Sequence, residues 1–341
     1  MKWPSIKIVT KEGMRTGIAP LIISASRSTD IPAFHSQWFG ERLTAGYCKW
    51  MNPFNQRVQY VSFARVRAFV FWSKNPAPMI PLLSRLDEAG ITYYFQFTVN
   101  YYDAEGLEPQ VPRLEERVAT FERLSRIIGK RRVIWRFDPL FLTDTLSVVS
   151  LIDKVRHVGD LIHPFTERLV ISFADISTYV KVRRNLAGHD VRYLEFDIKR
   201  MQEAGQMLSE LAKQWGIVVS TCGETVDLSL YGIKHNRCID GVLLLKLAPN
   251  DHELRDLLVR RRNIGSPLFE SDERVWEQHL NDPGQREACG CIVSKDIGQY
   301  NTCGHLCLYC YANTSKSVVI RNLSRLSSES ECICPTASCE K

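Results

Sequence analysis

Between Leu21 and Leu245 the chain carries seven short apolar runs, and their spacing constrains the fold more than any other feature. Leu21–Ser24, Phe69–Trp72, Tyr93–Thr98, Val133–Trp135, Leu169–Phe173, Ile217–Val219 and Val242–Leu245 are rich in β-branched or aromatic residues, so they read as buried strands. Most are separated by segments of helical spacing, such as Leu114, Val118, Phe121, Leu124 and Met201, Ala204, Leu208, Leu211. Strand and helix in alternation predict an α/β chain with parallel strands. Over roughly 250 residues this points to a full or partial (β/α) barrel, with an open sheet as second choice. The expected layout is an N-terminal extension over 1–20, the barrel over 21–313 and a Ser- and Cys-rich tail over 314–341.

With 45% hydrophobic, 10% aromatic and 24% charged residues in 341, neither a disordered nor a fibrous chain fits. No apolar run approaches the ~18 residues that cross a bilayer, and Met1-Lys2-Trp3-Pro4 opens no signal-like stretch, which predicts a cytoplasmic protein without membrane partners. The net charge of +6 permits a polyanionic partner without demanding one. Lys130-Arg131-Arg132 and Arg260-Arg261-Arg262 read as solvated ends of helical stretches.

Eleven cysteines suit metal or cluster ligation better than a disulfide framework in a reducing compartment. Cys303, Cys307 and Cys310 are spaced C-x3-C-x2-C, close enough to reach one metal assembly. Thiolates are the usual ligands of iron–sulfur clusters, and three of them leave one iron open. Zinc is the competitor; it needs a fourth ligand, which His305 offers only awkwardly. Barrels carry their chemistry at the C-terminal strand ends. Polar residues cluster there: Arg27 and Asp30, then Ser73-Lys74-Asn75-Pro76, Thr98 and Asn100, Arg136 and Asp138, Asp175, and finally Cys222 and Glu224. Cys222, Cys238, Cys289 and Cys291 form a second group, three of them beside glycine, suited to an auxiliary iron–sulfur cluster or a structural zinc. The tail cysteines 332, 334 and 339 read as adventitious and the tail as loose.

The Cys303–Cys310 spacing, with Tyr309 as its aromatic, resembles the radical S-adenosylmethionine (SAM) superfamily, and Tyr300–Asn313 around it resembles the spore photoproduct lyase branch. Trp72-Ser73-Lys74-Asn75, Phe97-Thr98 and Leu107-Glu108-Pro109 followed by Arg117 are similar to that branch's SAM-binding segments. There they follow the cysteine loop; here they precede it, which implies a circularly permuted core. The chain also looks like an uncharacterised bacterial family bearing a domain-of-unknown-function label. The resemblance implies a 4Fe-4S cluster on Cys303, Cys307 and Cys310, with SAM held near Ser73, Asn75, Glu108 and Tyr309. It further implies a flavodoxin or ferredoxin as electron donor and a radical acting on an unidentified substrate, for which nucleic acid, including a lesion in it, is one option. Within that frame Arg136 and Asp138 are the expected catalytic pair and Arg27, Asp30 and Glu224 the expected substrate contacts, although Arg136 and Asp138 also read as a local ion pair. The rival function is a non-enzymatic zinc-binding ligand or interaction module.

Overall fold

A computed structural model describes residues 3–259 and 280–335. Chain order runs β1 (Ser5–Thr10), β2 (Gly13–Ile18), β3 (Ile22–Ala25), α1 (Ile31–Phe34), α2 (Ser36–Ala45), β4 (Tyr47–Met51), β5 (Val58–Ser62), β6 (Ala68–Ser73), α3 (Leu83–Glu88) and β7 (Thr92–Thr98). It continues with α4 (Leu114–Ile128), β8 (Val133–Leu140), β9 (Leu142–Thr143), α5 (Val148–Ile162), β10 (Arg168–Phe173), α6 (Val180–Ala187), β11 (Tyr193–Leu194) and α7 (Ile198–Trp215). The last elements are β12 (Val218–Thr221), β13 (Lys234–His235), α8 (Gly241–Leu247), α9 (His252–Leu258), β14 (Lys295–Asp296) and α10 (Lys316–Leu323).

Eight strands form one parallel sheet in the order β13-β12-β10-β8-β7-β6-β3-β14. The fold is therefore α/β, as the alternation predicts. The barrel is not closed, because β13 and β14 end the sheet without pairing to each other. The last strand in sequence, β14, lies beside the first strand of the sheet, with Lys295 opposite Ile23 and Asp296 opposite Ser24.

Period-two alternation gives the sheet two apolar faces. Phe69, Phe71, Phe95, Phe97, Trp135, Phe137 and Ile171 join the larger core, into which Phe121 of α4, Leu151 and Val155 of α5 and Leu208 of α7 also pack. Ile22, Val70, Tyr94, Ile134 and Val170 face the other way, against Leu243 and Leu244 of α8 and Leu254 and Leu258 of α9. These two helices and the segment around Ile292 cover this inner face where further strands would close a barrel. Toward the C-terminal strand ends the inner positions turn polar: Tyr94 is followed by Gln96, Ile134 by Arg136 and Asp138, Val170 by Ser172, and Ser220 by Cys222. This switch opens a polar mouth over an apolar floor.

Three expectations are corrected. Val242–Leu245 is helical, because Asp240 caps the segment by accepting from the Val242 and Leu243 amides. The first twenty residues contribute β1 and β2 to a four-stranded sheet ordered β1-β2-β5-β4. The tail is packed as far as Pro335: Cys332, Ile333 and Cys334 are buried, Glu331 pairs with Lys49 at 3.0 Å, and the Cys334 backbone exchanges hydrogen bonds with the Gln299 side chain at 3.0 and 3.2 Å. Lys130 and Arg131 are exposed after α4, as expected, while Arg260–Arg262 and Cys339 lie outside the described residues.

Candidate active site

The cysteine loop follows β14 and is fastened from below by Asp30. This buried carboxylate caps α1 through the Ala33 amide at 2.9 Å, and it accepts from the Ser73 hydroxyl at 2.8 Å, the Lys74 amide at 2.7 Å and His305 Nε2 at 2.9 Å. Asp30 thus joins the ends of β3 and β6 to the loop. His305 Nδ1 lies 3.3 Å from the Gln110 carbonyl, and the Leu308 amide donates to the Leu107 carbonyl at 2.9 Å. Gly304 lets the loop approach Phe34, whose Cε1 would stand 2.7 Å from an added Cβ. Asn301 and Leu306 hold positive φ, 62° and 55°, a strained backbone of the kind that clusters at functional turns.

No hydrogen bond joins the thiols of Cys303, Cys307 and Cys310; Cys303 feels the other two electrostatically, and Cys307 feels Cys310. Burial pushes all three thiols up, and for Cys307 and Cys310 the Lys74 ammonium works against it, favouring thiolate. Lys74 reaches Glu108 at 2.6 Å and the Tyr309 hydroxyl at 3.0 Å. Asn100, fully buried, donates to Glu108 at 2.9 Å and to Tyr309 at 3.0 Å. Burial alone would raise the Glu108 carboxyl, but Lys74 and then Arg117 hold it down to about 2.

Asn100 also joins this network to the expected catalytic pair, for its Oδ1 accepts from the Asp138 amide at 2.8 Å. Arg136 and Asp138 form an ion pair: Arg136 Nε lies 3.0 Å from Asp138 Oδ2, Nη2 contacts the same oxygen, and Ser172 donates to Oδ1. Arg136 Nη1 turns instead to Gln96 at 3.2 Å and to the Cys238 sulfur at 2.9 Å.

Around Cys238 the second cysteine group does assemble. Cys222 and Cys238 stand 3.2 Å apart at sulfur, Cys238 hydrogen-bonds Cys291, and Cys291 hydrogen-bonds Cys289. As these side chains stand, no set of three or more His, Cys, Asp or Glu residues among those described is arranged to hold a metal ion.

The other expected contacts divide. Arg27 lies among Cys291, Cys238 and Asp282, its guanidinium stacked 5.2 Å over Trp72. Glu224 accepts from the Phe173 amide at 2.9 Å, and burial raises its carboxyl to about 7. Ser73 and Asn75 shape the turn after β6, with the Asn75 amide bonded to Ser73 Oγ at 2.9 Å and the Ala77 amide to Asn75 Oδ1 at 3.3 Å. The sequence offers Lys74 and Asn100 only as polar strand-end residues and His305 only as an awkward zinc ligand, with no role for any of them beside the cluster loop. Lysine between Ser73 and Asn75 at the end of an apolar strand was the available signal.

None of the curated proteins matches the chain. A solved structure of a "putative alpha-L-fucosidase" from Bacteroides thetaiotaomicron VPI-5482 is similar at 15% identity, over 67% of this chain and 76% of that one, with a TM-score of 0.25. No helix among the described residues is long and apolar enough to cross a membrane. Residues 22–312 match the family described as Domain of unknown function (DUF1848), a span that takes in β3, the mouth and all seven cysteines named as ligands, and the chain belongs to that family.

Proposed function

We propose that this protein is a radical SAM-type iron–sulfur enzyme. The observation that carries the reading is the placement of Cys303, Cys307 and Cys310 on a strained, clamped loop beside Lys74, Glu108, Asn100 and Tyr309. Three thiols at C-x3-C-x2-C spacing suit a cluster with one iron left open, whereas a single zinc needs a fourth ligand. The sheet order supports the permuted arrangement, because the strand leading into the loop, last in sequence, sits next to β3.

When bound, the cluster would supply the electron that cleaves SAM to methionine and a 5'-deoxyadenosyl radical, which takes a hydrogen atom from the substrate. The chain's own residues do the rest. The three thiolates hold the cluster and leave one iron free for the amino and carboxylate groups of SAM. Lys74 adds positive charge beside the thiolates, Glu108 and Asn100 fix Tyr309, and Asp30 with His305 locks the loop to the sheet. Asn75 and the turn it shapes border the place expected for the methionine end. A flavodoxin or ferredoxin would deliver the electron; the substrate class stays open, nucleic acid included.

The test is anaerobic reconstitution with iron and sulfide, followed by dithionite and SAM. Brown protein that forms 5'-deoxyadenosine, both lost in C303A/C307A/C310A, is the expected result. Colourless protein that releases no deoxyadenosine refutes the reading and favours the zinc-binding module.

A further inference from the structure

We propose that Cys222, Cys238, Cys289 and Cys291 close a metal centre of their own: a single soft divalent ion, zinc in the test below, held by four thiolates on the inner face of the sheet. The proposal is independent of the radical SAM reading.

Three segments far apart in sequence deliver these thiols to one place. Cys222 directly follows β12, where Gly223 at φ 67° lets the chain turn away; Cys238 follows β13; Cys289 and Cys291 come from the segment that packs back over the inner face. The sulfurs form one chain of contacts, from Cys222 through Cys238 and Cys291 to Cys289. At a metal–sulfur distance of ~2.3 Å, tetrahedral geometry sets neighbouring sulfurs about 3.8 Å apart. The 3.2 Å between Cys222 and Cys238 is shorter, so an ion would spread that pair by roughly half an ångström and draw in the ends of the chain.

Burial pushes the Cys222, Cys238 and Cys291 thiols up, and the cations packed against them work the other way. Nitrogen donors are aimed at sulfur: Arg136 Nη1 at Cys238 (2.9 Å), Asn236 Nδ2 at Cys238 (3.4 Å) and the Ile239 amide at Cys291 (3.4 Å). Such donors are the outer shell that orients and tunes thiolate ligands. Arg27 brings a second cation against Cys291 and Cys238, and its Nη2 is buried with no hydrogen-bond partner among the described residues. Its Nη1 pairs with Asp282 at 3.7 Å, and a negatively charged centre would give Nη2 the acceptor it lacks. Two disulfides would leave it, and Arg136 Nη1, facing neutral sulfur. Cys238 is itself anchored from behind, its carbonyl accepting from Tyr94 Oη at 2.7 Å and Gln96 Nε2 at 2.9 Å.

The full-length C303A/C307A/C310A chain, purified under reducing conditions, separates this centre from the proposed SAM cluster. One zinc per chain by mass spectrometry of the metal, with no acid-labile sulfide, is expected. Adding C222A and C289A should lower zinc at least tenfold. If that variant does not fold, cobalt(II) added to metal-stripped C303A/C307A/C310A must give the sulfur-to-cobalt charge-transfer bands of a four-thiolate site. Metal-free protein, sulfide accompanying iron, a mass showing two disulfides, zinc that survives C222A/C289A, or cobalt spectra without thiolate bands would each overturn the proposal. Loss of deoxyadenosine formation in the parent chain bears on the cluster alone.

Discussion

Arg136 has its guanidinium directed inward on every side. Asp138, Gln96 and Cys238 take its donors, and it is only 4% exposed, which leaves no open fork for a substrate. Lysine keeps the charge but cannot copy the paired donors. Arg136→Lys is therefore expected to lower stability by about 2 kcal/mol in urea melts, less than the ~3–5 kcal/mol of removing a buried partner outright. SAM cleavage should persist; intact stability with lost product would instead support the catalytic role expected of the Arg136–Asp138 pair. Gly304 makes a second case. A Cβ placed 2.7 Å from the Phe34 ring has no room, so Gly304→Ala should lower the melting point by the equivalent of roughly 1–3 kcal/mol and impair iron uptake. At this scale the thiol spacing and the strand-end polar residues were legible from sequence. The pairings of Lys74 and His305 were not, because their partners Glu108, Tyr309, Gln110 and Asp30 lie 34 to 275 residues away.

Among elements, α1 and the cysteine loop depend on one another through Asp30. Asp30→Ala strands four donors, and each buried donor left alone costs ~1–3 kcal/mol. Hydrogen exchange should then speed up across residues 299–313 before the central strands respond, whereas uniform loss of protection would show that the loop has no separate clamp. Strands buried on both faces announce themselves as apolar runs, which is why β3, β6, β7, β8, β10 and β12 were readable. Two-residue β13 and β14 carry no such signal, β1 alternates exposed positions with more buried ones, and β2 is exposed over its first four residues, so neither stands out as an apolar run. Val242–Leu245 fits helix or strand equally well; the Asp240 cap decides it.

Taken whole, the molecule should be sensitive to acid. Burial lowers His35 to about 4, and it donates to the Thr302 carbonyl just before Cys303. The unfolded imidazole takes its proton near 6.5, so this contribution is complete above pH 6.5 and declines down to pH 4. Glu108, held to about 2, adds a second loss from its ordinary carboxylate range down to pH 2. Glu224, raised to about 7, works the other way as pH falls from 7 toward its ordinary range. The His35 loss is therefore read as the difference between the parent chain and His35→Gln across pH 7 to 4, and a difference that does not change with pH would contradict the assignment. Removal of residues 326–341 should destabilise the fold as well, since Ser330, Glu331 and Cys334 bond to Trp38, Lys49 and Gln299. The position of β14 reaches further, into biosynthesis. Every other strand of the sheet leaves the ribosome before it does, so a nascent chain exposes the β3 edge, with Ser24 and Ser26 still lacking Asp296, until the final stretch is made. A chain that terminates before β14 keeps that edge open to pairing with its neighbours, which makes translation through Lys295 and Asp296 the step that separates a closed sheet edge from an aggregating fragment.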